Sequence, residues 1–251
     1  MTGLFAAFLS NKNPPVPPST IEYLVLSGGA GAIAFSGGQS SSGGGGGGGG
    51  MLESTSFAVT PSTNYTVTIG AGSSTGTVAG SSTFASVTPT GGGRGGTANG
   101  SAQNGGCGGG AWYSGQPFGT GIAGPPRQGY DGGSGGTGNG GGAGQAGGVF
   151  SGGSGRESSI TGVATYYGGG GNASNGGGSY NGNAPANTGG GVMQGQNAAQ
   201  YTGGSGVVIL AYPLTFAPIR TIGAGLTYSV LATRAGYWVY RFTAGTDNIS
   251  W

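Results

Sequence analysis

The chain has 251 residues and a formal net charge of +2, yet only 5% of its residues are charged and 68 are glycine. It contains no histidine, one cysteine and five carboxylates that are far apart in sequence, so the usual general acids, bases and activated nucleophiles are scarce. We therefore expect a non-enzymatic protein with no catalytic residue, metal site or cofactor. The arginines are isolated rather than clustered, which argues against nucleic acid as a partner.

Glycine-rich stretches are often flexible linkers. Disordered chains, however, carry many charges and few aromatic residues. This chain is 10% aromatic and 5% charged, which is the opposite composition. We therefore expect the glycine-rich part to be ordered.

Residues 1–20 are expected to form an anchor arm. Apolar residues precede a proline-rich stretch at 13–18, which must be extended because each proline fixes φ and restricts the residue before it. The apolar side chains are Leu4, Phe5, Phe8 and Leu9. The arm either packs on its own domain or is held out for a partner subunit. The apolar run is too short for a membrane span or a secretory signal, so we expect no membrane insertion and folding in a cytoplasm.

Runs of β-branched and aromatic residues predict β-strands on both sides of the glycine-rich middle. The predicted strands cover residues 21–26, 57–61, 65–70, 82–87, 207–213, 227–231 and 237–242. Turns are expected at residues 61–64, 235–236 and 244–245. Strands 21–26 and 207–213 flank the glycine region, so we expect them to pair or adjoin in one small sheet. Strand 237–242 is apolar on both faces, which favours burial against another subunit.

Between residues 91 and 206, 46 of 116 positions are glycine. This density excludes an α-helix and makes ordinary strands improbable, and the irregular glycine spacing excludes collagen. Polyglycine II helices remain, because glycine alone lets backbones approach closely enough to bond to one another. The expected fold is mostly β with a polyglycine II bundle, framed by a small sheet, and with little or no α-helix.

The expected organisation is an arm at 1–20, a glycine-rich domain at 21–213 and a C-terminal β unit at 214–251. The run of eight glycines at 43–50 is expected to be a loop. Cys107, which lies between glycines, is expected to be a small buried residue.

Several segments in a fixed order resemble the glycine-rich domain of bacteriophage tail-fibre and other virion proteins. They are residues 22–29 (EYLVLSGG), 65–72 (YTVTIGAG), 82–84 (STF) with 90–93 (TGGG), and 203–210 (GGSGVVIL) with 212–213 (YP). Residues 240–246 (YRFTAGT) are similar to the short strand that accompanies this domain. The resemblance implies a virion location, with the arm bound to other virion proteins.

A more distant likeness is to the tail-fibre adhesins of T-even-type phages, whose variable loops at the tip of a polyglycine II bundle recognise the host. That likeness implies that aromatic residues in the loops bind a host-surface glycan or protein. The candidates are Trp112, Tyr113, Phe118, Tyr130, Phe150, Tyr166, Tyr167 and Tyr180. Alternatively these residues cover the flanks of the bundle, and the protein is an architectural capsid fibre or decoration protein. A homo-oligomer is expected, most simply a trimer.

Overall fold

The computed structural model describes residues 15–31, 43–74, 77–98, 100–135, 138–172, 179–180, 182–193 and 201–251, with only the backbone described at 179–180. Within these ranges the protein is all-β and has no helix, so no helix here could span a membrane. The main sheet has eight strands and curls into half a barrel. It is therefore larger than the small framing sheet that was predicted.

Each predicted strand overlaps an observed one, but the strand predicted at 57–61 lies mainly before that range, at Met51–Ala58, and only Thr83–Phe84 of the strand predicted at 82–87 is formed. The observed strands are β1 (Thr20–Leu26), β2 (Met51–Ala58), β3 (Tyr65–Thr68), β4 (Thr83–Phe84), β5 (Arg156–Ser158), β6 (Thr165–Tyr167), β7 (Ser179–Tyr180), β8 (Val192–Met193), β9 (Val207–Pro213), β10 (Thr221–Ile222), β11 (Leu226–Val230) and β12 (Tyr237–Ser250). The main sheet has the order β2-β1-β9-β12-β3-β4, with β10 and β11 also paired to β12. The remaining strands form two small pairs, β5-β6 and β7-β8.

The two strands that flank the glycine region do pair, as predicted. β1 and β9 are antiparallel neighbours, with Leu24 opposite Ile209 and Val25 opposite Val208. Both strands are buried on both faces, which explains why their sequences are continuous apolar runs rather than alternating ones.

Each face of the sheet has its own core. One face packs an aromatic cluster around Phe84, Tyr212 and Phe242. The other face packs Leu24, Ile209 and Val239 against Cys107 and residues of the glycine-rich layer. Cys107 is fully buried there, as expected.

Strand β12 is longer than predicted. The turn expected at 244–245 is instead a bend inside the strand, where Gly245 has a φ of +95° and the register with β11 shifts between Thr227 and Tyr228. Before the bend, β12 pairs with β9 and β11. After the bend, it pairs with β3 and β10. Glycine is the residue that adopts a positive φ without strain, which is why the strand can bend here.

Both faces of β12 are covered by the chain itself. Tyr240 and Phe242 are buried in the aromatic cluster, and Val239 is buried in the core of the opposite face. The apolar character of this strand is therefore explained without a second subunit. β12 also pairs with β9, so part of residues 214–251 shares one sheet with the glycine-rich domain.

The described part of the proline-rich stretch, residues 15–18, lies against the chain, which argues against a freely extended spacer there. Val16 accepts a hydrogen bond from the Ala217 N–H at 2.8 Å, and Ser19 accepts one from the Val59 N–H at 2.9 Å. The proposed anchor side chains Leu4, Phe5, Phe8 and Leu9 lie outside the described residues.

The eight-glycine run is not a loop but a central segment of the glycine-rich layer. Successive N–H groups of the run donate hydrogen bonds to carbonyls in three different neighbouring segments in turn. Residues three apart therefore donate to the same segment. Gly44 and Gly47 donate to Gly96 and Gly93, and Gly45 and Gly48 donate to Gly138 and Gly141. Gly46 and Gly49 complete the rotation by donating to Val192 and Gly189, at 2.8 and 2.7 Å.

Carbonyl groups of the same run accept bonds from three further segments. The donors to Gly45, Gly46 and Gly47 are Gly110, Gly171 and Ala30. The run therefore has six neighbours bonded through backbone alone. Buried backbone groups are satisfied in this way without helix or strand.

Two short strand pairs interrupt the region in which we expected no strands. Arg156–Ser158 and Thr165–Tyr167 form an antiparallel pair, and Ser179–Tyr180 pairs with Val192–Met193 in parallel. The first pair coincides with glycine-poor sequence, so its residues have the side chains that ordinary strands require.

Candidate binding surface at the distal end

The glycine segments run to and fro between the sheet and the opposite end. Residues 27–31 leave β1 and residues 43–50 return antiparallel to them into β2, because Ser27 bonds to Gly50 and Ala30 bonds to Gly47. We call the end away from the sheet the distal end.

Loops after residues 111 and 148 lie at the distal end. A series of backbone hydrogen bonds connects both loops to this end. The series starts at Gly44, which lies at the end of residues 43–50 farther from β2. The bonds join Gly44 to Gly96, Gly96 to Gly110, Ala111 to Gly133, Gly133 to Asn139, and Asn139 to Gly148. The loops that follow, residues 112–118 and 149–151, are called the distal loops below.

A glutamine side chain fixes the first distal loop. Gln116 accepts a hydrogen bond from the Trp112 N–H at 2.8 Å, and its Nε2 donates to the carbonyl of Thr97 at 2.9 Å. The Trp112 and Tyr113 rings meet edge to face, with centroids 5.3 Å apart. Tyr113 and Phe118 are exposed to solvent. The loop therefore presents aromatic side chains from a hydrogen-bonded support.

The second distal loop is held by two asparagines. Asn139 Nδ2 donates to the carbonyl oxygens of Gly148 and Val149, at 3.3 and 3.1 Å. Asn172 Nδ2 donates to the Phe150 carbonyl at 3.1 Å. Phe150 is 91% exposed. Sequence reasoning selected Phe150 but missed Gln116, Asn139 and Asn172, because a polar support residue has no signature of its own in a chain rich in Asn and Gln.

Three of the predicted aromatics are elsewhere. Tyr130 lies within a segment of the glycine-rich layer, with the Arg127 guanidinium 4.3 Å from its ring centroid. Tyr166 is exposed but belongs to β6, on the β5-β6 hairpin beside the sheet. Tyr167 is only 8% exposed, and burial raises its pKa, so it belongs to the core and not to a binding surface. For Tyr180, only the backbone is described.

A family model for the glycine-rich domain matches residues 8–213. The chain belongs to the glycine-rich domain family. No curated protein and no solved structure matches it. The family match spans β1 to β9 and both distal loops, and it identifies the domain without naming a partner.

The glycine-rich domain holds its hairpin against the sheet through polar contacts. Ser158 donates to Glu53 Oε1 at 2.5 Å, and Arg156 Nη2 donates to the Met51 carbonyl at 2.8 Å. Arg234 reaches the Ile160 carbonyl at 3.3 Å. The charged side chains in these contacts are Glu53, Arg156 and Arg234, and none of them lies in a distal loop.

Electrostatically, the distal loops of the glycine-rich domain are neutral, since residues 112–118 and 149–151 contain no ionisable acid or base other than Tyr113. Across the described ranges, no group of three or more His, Cys, Asp or Glu side chains could hold a metal ion. The distal loops therefore offer apolar contact and neutral hydrogen bonds, which salt screens little.

A shallow groove also lies on the glycine-rich layer, lined by Thr90, Asn104, Gly105, Thr120, Gly121 and Ile122. The Asn104 side chain and the backbone N–H groups of Thr120 and Gly121 on its wall are already engaged. Asn104 Oδ1 accepts the Thr120 N–H at 2.8 Å, and Asp131 Oδ1 accepts the Gly121 N–H at 2.8 Å. The distal loops are therefore the stronger candidate for a binding surface.

Proposed function

We propose that this protein is a bacteriophage virion structural protein, a fibre or adhesin component that presents its distal loops to the surface of the host cell. One observation carries the proposal: Tyr113, Phe118 and Phe150 are exposed together at one end of an interlocked backbone framework. Exposed aromatic residues in polar, uncharged surroundings suit recognition of surface molecules. A passive spacer has no need of them.

We further propose that the glycine segments are polyglycine II helices. The rotation of hydrogen bonds around residues 44–49, with a return every third residue, supports this because polyglycine II has three residues per turn. The six bonded neighbours support it as well. Backbone dihedrals near φ −75° and ψ +145° in an experimental structure would be expected, as for polyproline II.

In this proposal the protein is made in the host cytoplasm and carried on the virion. The arm at residues 1–20 attaches it to another virion protein, and several copies, most simply three, act together so that weak contacts add up. Because β12 is covered on both faces within the chain, the copies must meet through other surfaces.

The proposal can be tested with purified protein and a panel of intact Gram-negative and Gram-positive bacterial cells. Replacing Trp112, Tyr113, Phe118 and Phe150 together by serine should abolish cell binding and leave the melting temperature nearly unchanged. The matched control is Val163→Ser with Tyr166→Ser, two exposed residues beside the sheet.

Cell binding that survives the fourfold change would show that the distal loops do not carry it, and absence of cell binding by the wild type would assign the protein to the architectural class, a capsid fibre or decoration protein. Electron microscopy of labelled virions adds an independent check of location. A label on the capsid shell with no cell binding would also contradict the adhesin role.

A further inference from the structure

Phe150 is the most exposed large apolar side chain among the described residues, at 91%. It stands at the tip of a tight distal turn, where Gly148 N–H donates to the Ser151 carbonyl at 2.8 Å. Val149 beside it is also exposed. Transfer of an apolar side chain from water into an apolar environment is favourable. Burial of Phe150 by a partner therefore contributes binding free energy.

The turn that displays Phe150 is fixed from behind. The carbonyls of three consecutive residues, Gly148, Val149 and Phe150, each accept a side-chain amide, from Asn139 or Asn172. Asn139 is itself 1% exposed and its backbone N–H also bonds to Gly148, so this support is anchored in the bundle. Such a turn loses little conformational freedom on binding, which raises affinity.

We propose that Phe150 is a preformed anchor that inserts into an apolar pocket of a host-surface protein. This inference rests on the proposed function and narrows it to one residue and one class of partner. A side chain exposed almost all round is convex, and it therefore fits a concave apolar pocket. Interfaces of this kind concentrate their affinity in a few well-buried anchors.

Binding of a glycan is disfavoured at this turn by the use of its polar groups. Sugar recognition needs free hydrogen-bonding side chains beside an aromatic face. Here the amides of Asn139 and Asn172 donate to the chain's own carbonyls, which leaves Ser151 as the exposed polar residue next to Phe150 in the turn. Val149, an apolar residue, adjoins Phe150 on its N-terminal side.

The test uses the full chain with single substitutions, and the probe is the panel of intact bacterial cells, untreated or treated with proteinase K. Phe150→Ala should weaken binding about 30-fold, as truncation of an interface hot spot does. Val163→Ser, the control beside the sheet, should bind as the wild type does. Proteinase K treatment of the cells should abolish binding.

Asn172→Gly tests the support, because glycine tolerates the φ of +67° at this position while removing the amide. It should weaken binding of the otherwise wild-type protein but have no further effect in a Phe150→Ala background. An equal loss in both backgrounds would mean that Asn172 does not act through Phe150.

The outcomes separate this inference from the proposed function. If the wild type binds cells and Phe150→Ala binds equally well, the anchor is wrong and the adhesin role stands. Phe150-dependent binding that resists proteinase K overturns the protein pocket in favour of a glycan. Absence of binding by the wild type to every cell in the panel overturns both.

Discussion

A Cβ atom on Gly49 would lie well inside 3.0 Å of the carbonyl oxygen of Ser27. The obstacle is backbone rather than a flexible side chain, so it cannot rotate away. Gly49 N–H meanwhile donates to the Gly189 carbonyl at 2.7 Å on another side. Gly49 is therefore required because of the close approach of neighbouring segments, and not because of a turn.

We expect Gly49→Ala to destabilise the protein by about 3 kcal/mol or more, since inserting a methyl group into a closely packed lattice forces backbone shifts and breaks hydrogen bonds. Gly148→Ala is the matched control, because its Cβ would have 3.5 Å to its nearest neighbour. That variant should be unchanged or gain up to about 1 kcal/mol. Urea unfolding measures both, and equal losses would contradict the close-packing explanation.

The strands that flank the glycine-rich region could be predicted because the signal for a strand lies in its own residues. The strands at 21–26 and 207–213 are apolar runs that end at glycines, and they pair as expected. The role of residues 43–50 could not be predicted, since a lone glycine run has the same sequence whether it is a loop or a segment bonded to six neighbours. Long-range backbone bonds leave no pattern of side chains to read.

The sequence predicted that aromatic loop residues form the candidate site, but it did not predict which of them lie at the distal end. Tyr166 and Tyr167 resemble Tyr113 and Phe150 in sequence context, yet Tyr167 is buried and Phe150 is 91% exposed. The difference arises because residues 165–167 pair with 156–158 beside the sheet, whereas 149–151 turn at the distal end. Which end a loop occupies depends on the path of the whole chain.

Arg234 contacts Glu22, Ile160 and Tyr237, and we expect Arg234→Lys to destabilise the protein by about 1 kcal/mol. Its two terminal nitrogens bond to both oxygens of Glu22, at 2.7 and 2.9 Å, and its guanidinium stacks 3.6 Å from the Tyr237 ring centroid. Lysine keeps the charge but loses the two-pronged bond and the stacking.

Arg220→Lys, at an exposed position, serves as the control and should change stability by less than about 0.5 kcal/mol. The measurement is chemical unfolding of both variants. No difference between them would show that the Glu22 pairing is screened by solvent.

Cys107 should be unreactive in the folded protein. It is fully buried, its thiol points at the Gly49 carbonyl at 3.5 Å, and burial raises its pKa to about 12. Since the thiolate is the reactive form, an aromatic disulfide reagent at pH 8 should label it only after denaturant is added. Labelling of the native protein within seconds would show that the core opens around residue 107.

Alkaline pH should destabilise the protein. Burial raises the pKa of Cys107 from 9.0 to about 12, and it also raises the pKa of the Tyr212 and Tyr240 hydroxyls above 10.0. Above pH 9 the unfolded chain therefore loses protons that the folded chain retains. Stability is complete below pH 9 and falls as the pH rises, by about 1.4 kcal/mol per pH unit for each such group.

Cys107→Ser isolates one of these groups, because a serine hydroxyl can replace the thiol near the Gly49 carbonyl and does not ionise in this range. The slope of unfolding free energy against pH between 9 and 12 should be smaller in this variant by about 1.4 kcal/mol per pH unit. The free energy should stay nearly flat from pH 5 to 8 in both proteins, because the chain contains no histidine and the lowered pKa of Asp247, caused by backbone hydrogen bonds, acts only at more acidic pH. Urea titrations at unit pH intervals measure these slopes. Parallel curves for the two proteins above pH 9 would show that Cys107 ionises as readily in the folded chain as in the unfolded one, and that the core around it admits water.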